Sequence, residues 1–317
     1  MAAMAGAQAR ARTGWIAIYA AALFSVMAWA GTSIVTKVAV GAFDPVLIGI
    51  LRSIVAGLAA APFLIAGRVP RPRGAGSWGL LLLNAGSGFV LFPILFSVGQ
   101  SLTTAGRSAL VLASIPILTG LVALPVERRF PALRWWMGAA VALAGEALLI
   151  TSRTLPGENG NRLGGLFAGL IGELLVLAGA LGSAICYVAG SRLAARIGSP
   201  STALWGNALA GLMMLPLLAV FAERGAWGEA GPAVVGSVLY LGIVASLVAY
   251  MAWYWALARG GVARMVPVQF TQPLFAVLFA IVLLGERLTR PMVVATLVIL
   301  GGLYLTQRRI TPGGAVA

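Results

Sequence analysis

Few side chains in this 317-residue sequence could do chemistry, and those few fall in apolar surroundings. There is no histidine and only one cysteine, Cys186, so no intramolecular disulfide can form. No HExxH, GxSxG or P-loop frame occurs, which leaves a clustered nucleophile, an acid/base pair or a metal set without a starting point. What remains is a set of amides, aromatics and hydroxyls inside long apolar runs: Trp29, Asn84, Ser87, Ser114, Tyr187, Tyr240, Tyr250, Gln269 and Gln272. An amide facing lipid leaves several hydrogen-bonding groups unpaired, so Asn84, Gln269 and Gln272 must meet another helix or a wet path. The two glutamines are three apart, on one helix face. Trp29 and Tyr187 could gate a path or stack on a flat substrate, although packing explains either one alone. Thr32, Ser33, Ser108, Ser183, Ser246 and Thr271 can each bond back to their own helix. Trp253 and Tyr254 extend the aromatic set. Lys37, Arg52, Arg107 and Arg264 fall near expected helix ends, where long side chains snorkel to headgroups. A carboxylate-bearing substrate would suit any of them.

The elements that carry these residues follow from composition. The chain is 60% hydrophobic and 9% charged, against about a quarter charged in soluble domains. So few charges cannot cover a water-facing surface, and lipid must be the solvent for most of it. A spanning helix needs about 20 mainly apolar residues. Ten segments qualify, near 14–35, 46–67, 78–98, 102–125, 133–151, 170–191, 201–221, 232–257, 262–284 and 291–306. Strand-type alternation is absent, and helices satisfy their own backbone in lipid. The expectation is an all-α integral membrane protein with ten transmembrane helices. The first apolar run is long enough to stay as a helix rather than serve as a cleaved signal.

A net charge of +14 would suggest nucleic acid on a soluble chain. Here the placement of charge decides. With loops numbered alternately, the side holding the N-terminus carries fourteen Lys and Arg and the other side seven. Cytoplasmic loops attract Lys and Arg, so both termini are expected in the cytoplasm, which requires an even number of spans. Trp15, Trp78, Trp135 and Trp136 fall at helix ends, where indole rings suit the headgroup layer.

The chain also repeats itself. "GRSALVLASIP" and "ARMVPVQFTQP" share the frame Arg-x8-Pro, setting Arg107 against Arg264 and Pro116 against Pro273. Each is followed by an apolar run, then Glu127-Arg128 or Glu286-Arg287, then Pro131 or Pro291. "SVMAWAGTS" (25–33) resembles "SAICYVAGS" (183–191), and Pro45 and Pro200 each open the next helix. The organisation expected is a tail at 1–13, a five-helix unit at 14–151, an outer linker at 152–169, a second five-helix unit at 170–306 and a tail at 307–317. Five is odd, so the second unit starts on the opposite face, and the units are expected to be inverted repeats, a transporter device. The Glu-Arg pairs read as charged helix ends that mark where lipid stops. Pro116 and Pro273 read as kinks near the midplane, where a freed carbonyl needs a partner or a wet cavity.

Ten spans in two halves, with "LGERLT" and its following proline in the second half and "LPVERRFPALRWWMGAAVALAGEAL" in the first, resemble the drug/metabolite transporter superfamily, specifically its EamA-type members. Within it the chain resembles the YddG-type bacterial exporters of aromatic and other amino acids. The resemblance implies a cavity lined by helices one, three, four, six, eight and nine, with five and ten at the edges, in a bacterial inner membrane. The first-half motif lacks the glycine before Glu127, and Glu146 stands where the family keeps an apolar or small residue.

The function expected is alternating-access export of small metabolites, chiefly aromatic or hydrophobic amino acids, by a monomer or weak homodimer without cofactor or metal. The alternative is an exporter of drugs or nucleoside-type metabolites, with proton coupling through Glu146 or Glu173. No acid stands in the expected cavity, which favours facilitated diffusion. A membrane enzyme lacks its constellation, and a channel would want rings of like residues or a filter segment.

Overall fold

The computed structural model describes residues 2–32, 35, 39, 43–67, 69–102, 111–127, 131–151, 164–225, 227–284 and 289–307. Among them the longer helical segments join into ten rods, with short 3₁₀ segments at Ala222–Arg224 and Trp227–Glu229 between the seventh and eighth. α1 is Ala2–Ala30, α2 is Pro45–Ile65, and α3 runs without a break through Ala75–Asn84, Ala85–Leu91 and Phe92–Leu102. α4 is Ile115–Glu127, α5 is Leu133–Thr151, α6 is Gly164–Ile197 and α7 is Ser199–Phe221. α8 runs through Pro232–Leu239, Tyr240–Val248 and Ala249–Gly260. α9 joins Val262–Met265, a 3₁₀ stretch Val266–Thr271 and Gln272–Leu284, and α10 is Arg290–Gln307. No strand occurs among the described residues, only an isolated antiparallel bridge between Phe43 and Gly225.

Five helical stretches are long and apolar enough to cross a membrane: Pro45–Ile65, Ala75–Gly99, Gly169–Ile197, Ser199–Phe221 and Pro232–Gly260. Gly14–Ala30, Ile115–Val126 and Arg290–Thr306 are shorter apolar helices. Large apolar side chains on the rods point outward, among them Leu58, Phe63, Leu212, Val220 and Leu297. A surface of that kind suits lipid contact and not water.

Local chemistry sets the helix ends. The Asp44 carboxylate accepts from the Val46 amide at 2.8 Å, and Pro45 occupies the first helical position of α2, where its missing N–H costs nothing. α6 passes to α7 through Gly198 alone, and α8 to α9 through Gly261 alone, at φ of 87° and 81°. A side chain at either position would be strained, so glycine permits these one-residue turns.

Three differences from the sequence reading concern boundaries. α1 extends back to Ala2, into the stretch expected as a tail, and α6 begins at Gly164, within the expected linker. Pro116 and Pro273 each take the second position of an α-helical segment, the first after the turn at Ala113–Ser114 and the second after the 3₁₀ stretch of α9. A proline there follows a turn or a 3₁₀ stretch, where the loss of its backbone donor interrupts the α-helical ladder least.

Packing relies on close approach of small residues, as in membrane bundles where lipid removes the hydrophobic drive between helices. α2 lies along α7, and a Cβ on Gly57 or Gly211 would sit 3.1 Å from the other's Cα. α5 lies along α10, where a Cβ on Gly138 would come within 2.7 Å of the Gly302 carbonyl oxygen. α3 packs on α6 as α1 packs on α8, and α4 packs on α6 as α1 packs on α9. Likewise α2 meets α8 as α7 meets α3. Exchanging α1–α5 with α6–α10 carries the α2–α7 and α5–α10 contacts onto themselves and each of the others onto its partner. The contact of α6 with the Ala249–Gly260 part of α8 stands outside this correspondence, and it brings the aromatic side chains together.

Candidate functional site

The middle of α3 and of α8 widens to π geometry, over Ala85–Leu91 and Tyr240–Val248. A wide turn shifts backbone carbonyls off the regular ladder, and in lipid any carbonyl left short of an amide needs another donor. Here side chains of neighbouring helices donate to carbonyls within and just beyond these turns. Ser53 Oγ on α2 donates to the Phe89 carbonyl at 2.7 Å. Asn207 Nδ2 on α7 donates to the Ser246 carbonyl at 3.1 Å. Trp29 Nε1 donates to the Ala245 carbonyl at 2.9 Å, and Ser25 Oγ to the Ala249 carbonyl at 2.8 Å. The wide turns also aim side chains back at α1 and α6. Tyr240 Oη donates to the Ala28 carbonyl at 2.8 Å, and Asn84 Nδ2 to the Cys186 carbonyl at 3.1 Å. Ala28 and Cys186 hold matching places in "SVMAWAGTS" and "SAICYVAGS", so these two bonds correspond between the halves.

Between α1, α3, α6 and α8 the aromatic rings form one cluster. Trp29 stacks on Tyr187 with centroids 5.9 Å apart and planes 17° apart. Tyr250 and Trp253 present edges to Trp29 at 5.1 and 5.4 Å. Phe89 meets Tyr250 at 4.5 Å, and Tyr254 closes the group at 5.6 Å from Tyr250. Trp29, Tyr187, Tyr250, Trp253 and Tyr254 are all buried, so the rings pack on one another. Edge and stacked contacts of this sort fill space while leaving π-faces that a flat guest could take over. Asn84 sits at the margin of the cluster, donating to the Tyr254 hydroxyl at 2.5 Å, and its Oδ1 lacks a partner among the described residues. Gln269 on α9 is buried beside the Tyr187 hydroxyl, with Oε1 also unpartnered among the described residues.

The structure therefore brings Trp29, Asn84, Tyr187, Tyr250 and Gln269 into one region, with Tyr240 bridging to α1. Ser87 and Ser114 bond back to the carbonyls of Leu83 and Val111, and Gln272 is half-buried one turn beyond Gln269. Lys37, Arg107, Ser33, Ser108 and the pairs Glu127-Arg128 and Glu286-Arg287 lie outside the residues whose side chains are described.

Two side chains depart from the expected roles. Arg52 does not snorkel. It stands in the apolar α2, and its Nε donates to Ser246 Oγ at 2.5 Å, on the wide turn of α8. Trp135 is buried instead of anchoring at the headgroups, and its Nε1 donates to the Ala263 carbonyl at 2.9 Å. Trp78 is exposed, and the Trp15 ring carries the Arg264 guanidinium 4.5 Å above it. Sequence reasoning passed over Ser25, Ser53 and Asn207. Their signal was present, since each is a polar side chain inside an apolar run, but nothing in the pattern tells a carbonyl-capping serine from a self-bonding one.

A bundle of apolar helices with lipid-suited faces and a buried polar and aromatic centre defines a helical membrane protein. The family model described as "EamA-like transporter family" matches residues 16–151 and again 170–308, and the chain belongs to that family. An "Uncharacterized transporter YdeK" of Bacillus subtilis (strain 168) is 26% identical, covering 86% of this chain and 90% of that protein. A "Probable terminal-alkyne amino-acid exporter" of Streptantibioticus cattleyicolor is 26% identical, covering 91% and 93%. The "Uncharacterized inner membrane transporter YedA" of Escherichia coli (strain K12) is 27% identical over 85% of this chain and 84% of that protein. A solved crystal structure superposes with a TM-score of 0.74 at 19% identity, covering 91% of this chain and 95% of the other, so the two share a fold.

Proposed function

We propose that this membrane protein is an alternating-access transporter that exports small metabolites from the cytoplasm, with aromatic and hydrophobic amino acids as its substrate class, as in YddG-type exporters. Its ten helices form two inverted five-helix units at 14–151 and 170–306, in a bacterial inner membrane with both termini cytoplasmic. It works as a uniporter, alone or as a weak dimer. The observation that carries the reading is the ring cluster of Trp29, Tyr187 and Tyr250, lying between two helices whose widened turns are capped in corresponding ways. Matched halves can trade roles at similar energy, and that exchange opens a central path to either face. Rings that now contact one another are positioned to contact a flat substrate instead. The name of the Streptantibioticus relative supports an amino-acid substrate.

Counterflow in proteoliposomes tests this. Internal unlabelled phenylalanine or tryptophan is expected to drive saturable uptake of the labelled amino acid, competed by other aromatic amino acids. Dye efflux without amino-acid flux would favour the drug or nucleoside alternative. Cysteine accessibility tests the topology separately: positions in 36–44 and 286–290 are expected on the same, extracytoplasmic face.

A further inference from the structure

The cation inside α2 points to what the path recognises. Arg52 lies seven residues into a 21-residue apolar helix, where a charge is costly unless it is paired. Its Nε is held by Ser246 Oγ, and Ser246 in turn donates to the Leu241 carbonyl at 2.8 Å, so the guanidinium is fixed to the widened turn of α8. The phenols of Tyr250 and Tyr187 lie within its electrostatic reach. No carboxylate forms an ion pair with it among the described residues. Asp44, on the preceding stretch of chain, is engaged in capping α2. A purely structural tether would need only a neutral donor, whereas a guanidinium keeps further N–H groups in a rigid fork that matches a carboxylate.

We propose that Arg52 is the anchor for the carboxylate of the transported molecule, with the Tyr187–Tyr250 side of the ring cluster holding its flat body. The site would thus take organic anions that carry an aromatic or other apolar group, zwitterionic amino acids included, and reject amines and amides of the same shape. This deepens the transport reading and rests on it for its physiological meaning, but binding can be measured without flux.

The experiment compares matched acids and amides on the purified protein by equilibrium binding, read through intrinsic tryptophan fluorescence. Phenylalanine and phenylacetate are expected to bind at least tenfold more tightly than phenylalaninamide and phenylacetamide. Arg52→Gln should bring each pair within about twofold by weakening the acids alone. Arg52→Lys, which keeps the charge but loses the fork, should fall between. Equal binding of acids and amides to the wild type, undetectable acid binding, or an undiminished preference in Arg52→Gln would each overturn the proposal. If Arg52→Gln cannot be recovered folded, Arg52→Lys decides: acid binding must drop at least threefold with amide binding unchanged, and an unchanged acid affinity would overturn it. Arg52-dependent acid binding with no amino-acid counterflow would sink the amino-acid transport reading and leave the anion site standing. Counterflow with the acid preference intact in Arg52→Gln would do the reverse.

Discussion

Ser53 on α2 and Asn207 on α7 each donate to a carbonyl in the widened part of an adjoining helix, Phe89 in α3 and Ser246 in α8. The second N–H of Asn207 also donates to the Ala203 carbonyl four residues earlier, while the single Ser53 proton is shared between Phe89 and the more distant Gly49 carbonyl, 3.2 Å away. Gly57 and Gly211 follow four residues later on each helix, where α2 and α7 come closest. Polar capping and close packing are thus joined on one face of each helix, because a widened turn is tolerable in lipid only where a neighbour comes near enough to reach its carbonyl.

Removing either donor should leave a buried carbonyl short of a partner. Interhelical hydrogen bonds in membrane bundles are worth on average about 0.6 and at most about 1.7 kcal/mol. Ser53→Ala and Asn207→Ala are therefore each expected to cost about 1 kcal/mol, seen as a lower thermal midpoint in detergent. Unchanged midpoints would show that these carbonyls have other donors.

Trp29 and Trp253 allow a matched comparison, since both lie in the cluster but only Trp29 has a partner for its indole N–H. Trp253 Nε1 is buried without one among the described residues. The change to Phe removes the same volume at both positions. At Trp29 it strips the Ala245 carbonyl of a donor, whereas at Trp253 it removes an unpaired donor that costs about 1–3 kcal/mol. Trp29→Phe is expected to be less stable than Trp253→Phe by at least about 1 kcal/mol in thermal unfolding. Equal midpoints would contradict the assignment of that bond.

Cys186 is the one cysteine, fully buried, with its Sγ 3.2 Å from the Tyr254 hydroxyl and pressed against Gly88. It is a built-in reporter of movement between α3, α6 and α8. Maleimide labelling of the wild type is expected to be slow at rest and, if the proposed export of aromatic amino acids holds, to change at least threefold with phenylalanine on both sides. A rate indifferent to every transported solute would count against rearrangement of these helices during the cycle.

Glu146 is 2% exposed in α5, the helix that lies along α10, and its Oε2 lacks a partner among the described residues. The proposed uniport mechanism needs no proton on this carboxyl. Glu146→Gln keeps the shape and removes the titration, and counterflow is expected to stay within about twofold of wild type at pH 6 and at pH 8. An imposed pH gradient that drives uptake in wild type but not in Glu146→Gln would replace uniport with proton coupling.

Composition and spacing alone determined that the chain is a helical membrane protein, where its apolar rods fall and which polar residues needed a reason. Lipid forces these answers locally, because a helix must be long and apolar enough and any amide inside it must be paired. The same residues could not show that α3 and α8 widen midway, that Ser53 and Asn207 donate to carbonyls there, or that Arg52 turns inward to Ser246. Each depends on a partner about 36 to 194 positions away in the chain. A single polar side chain in an apolar run carries the same local signal whether it faces its own helix, a neighbour or a path. Only the tertiary packing, which decides what lies opposite, separates these cases.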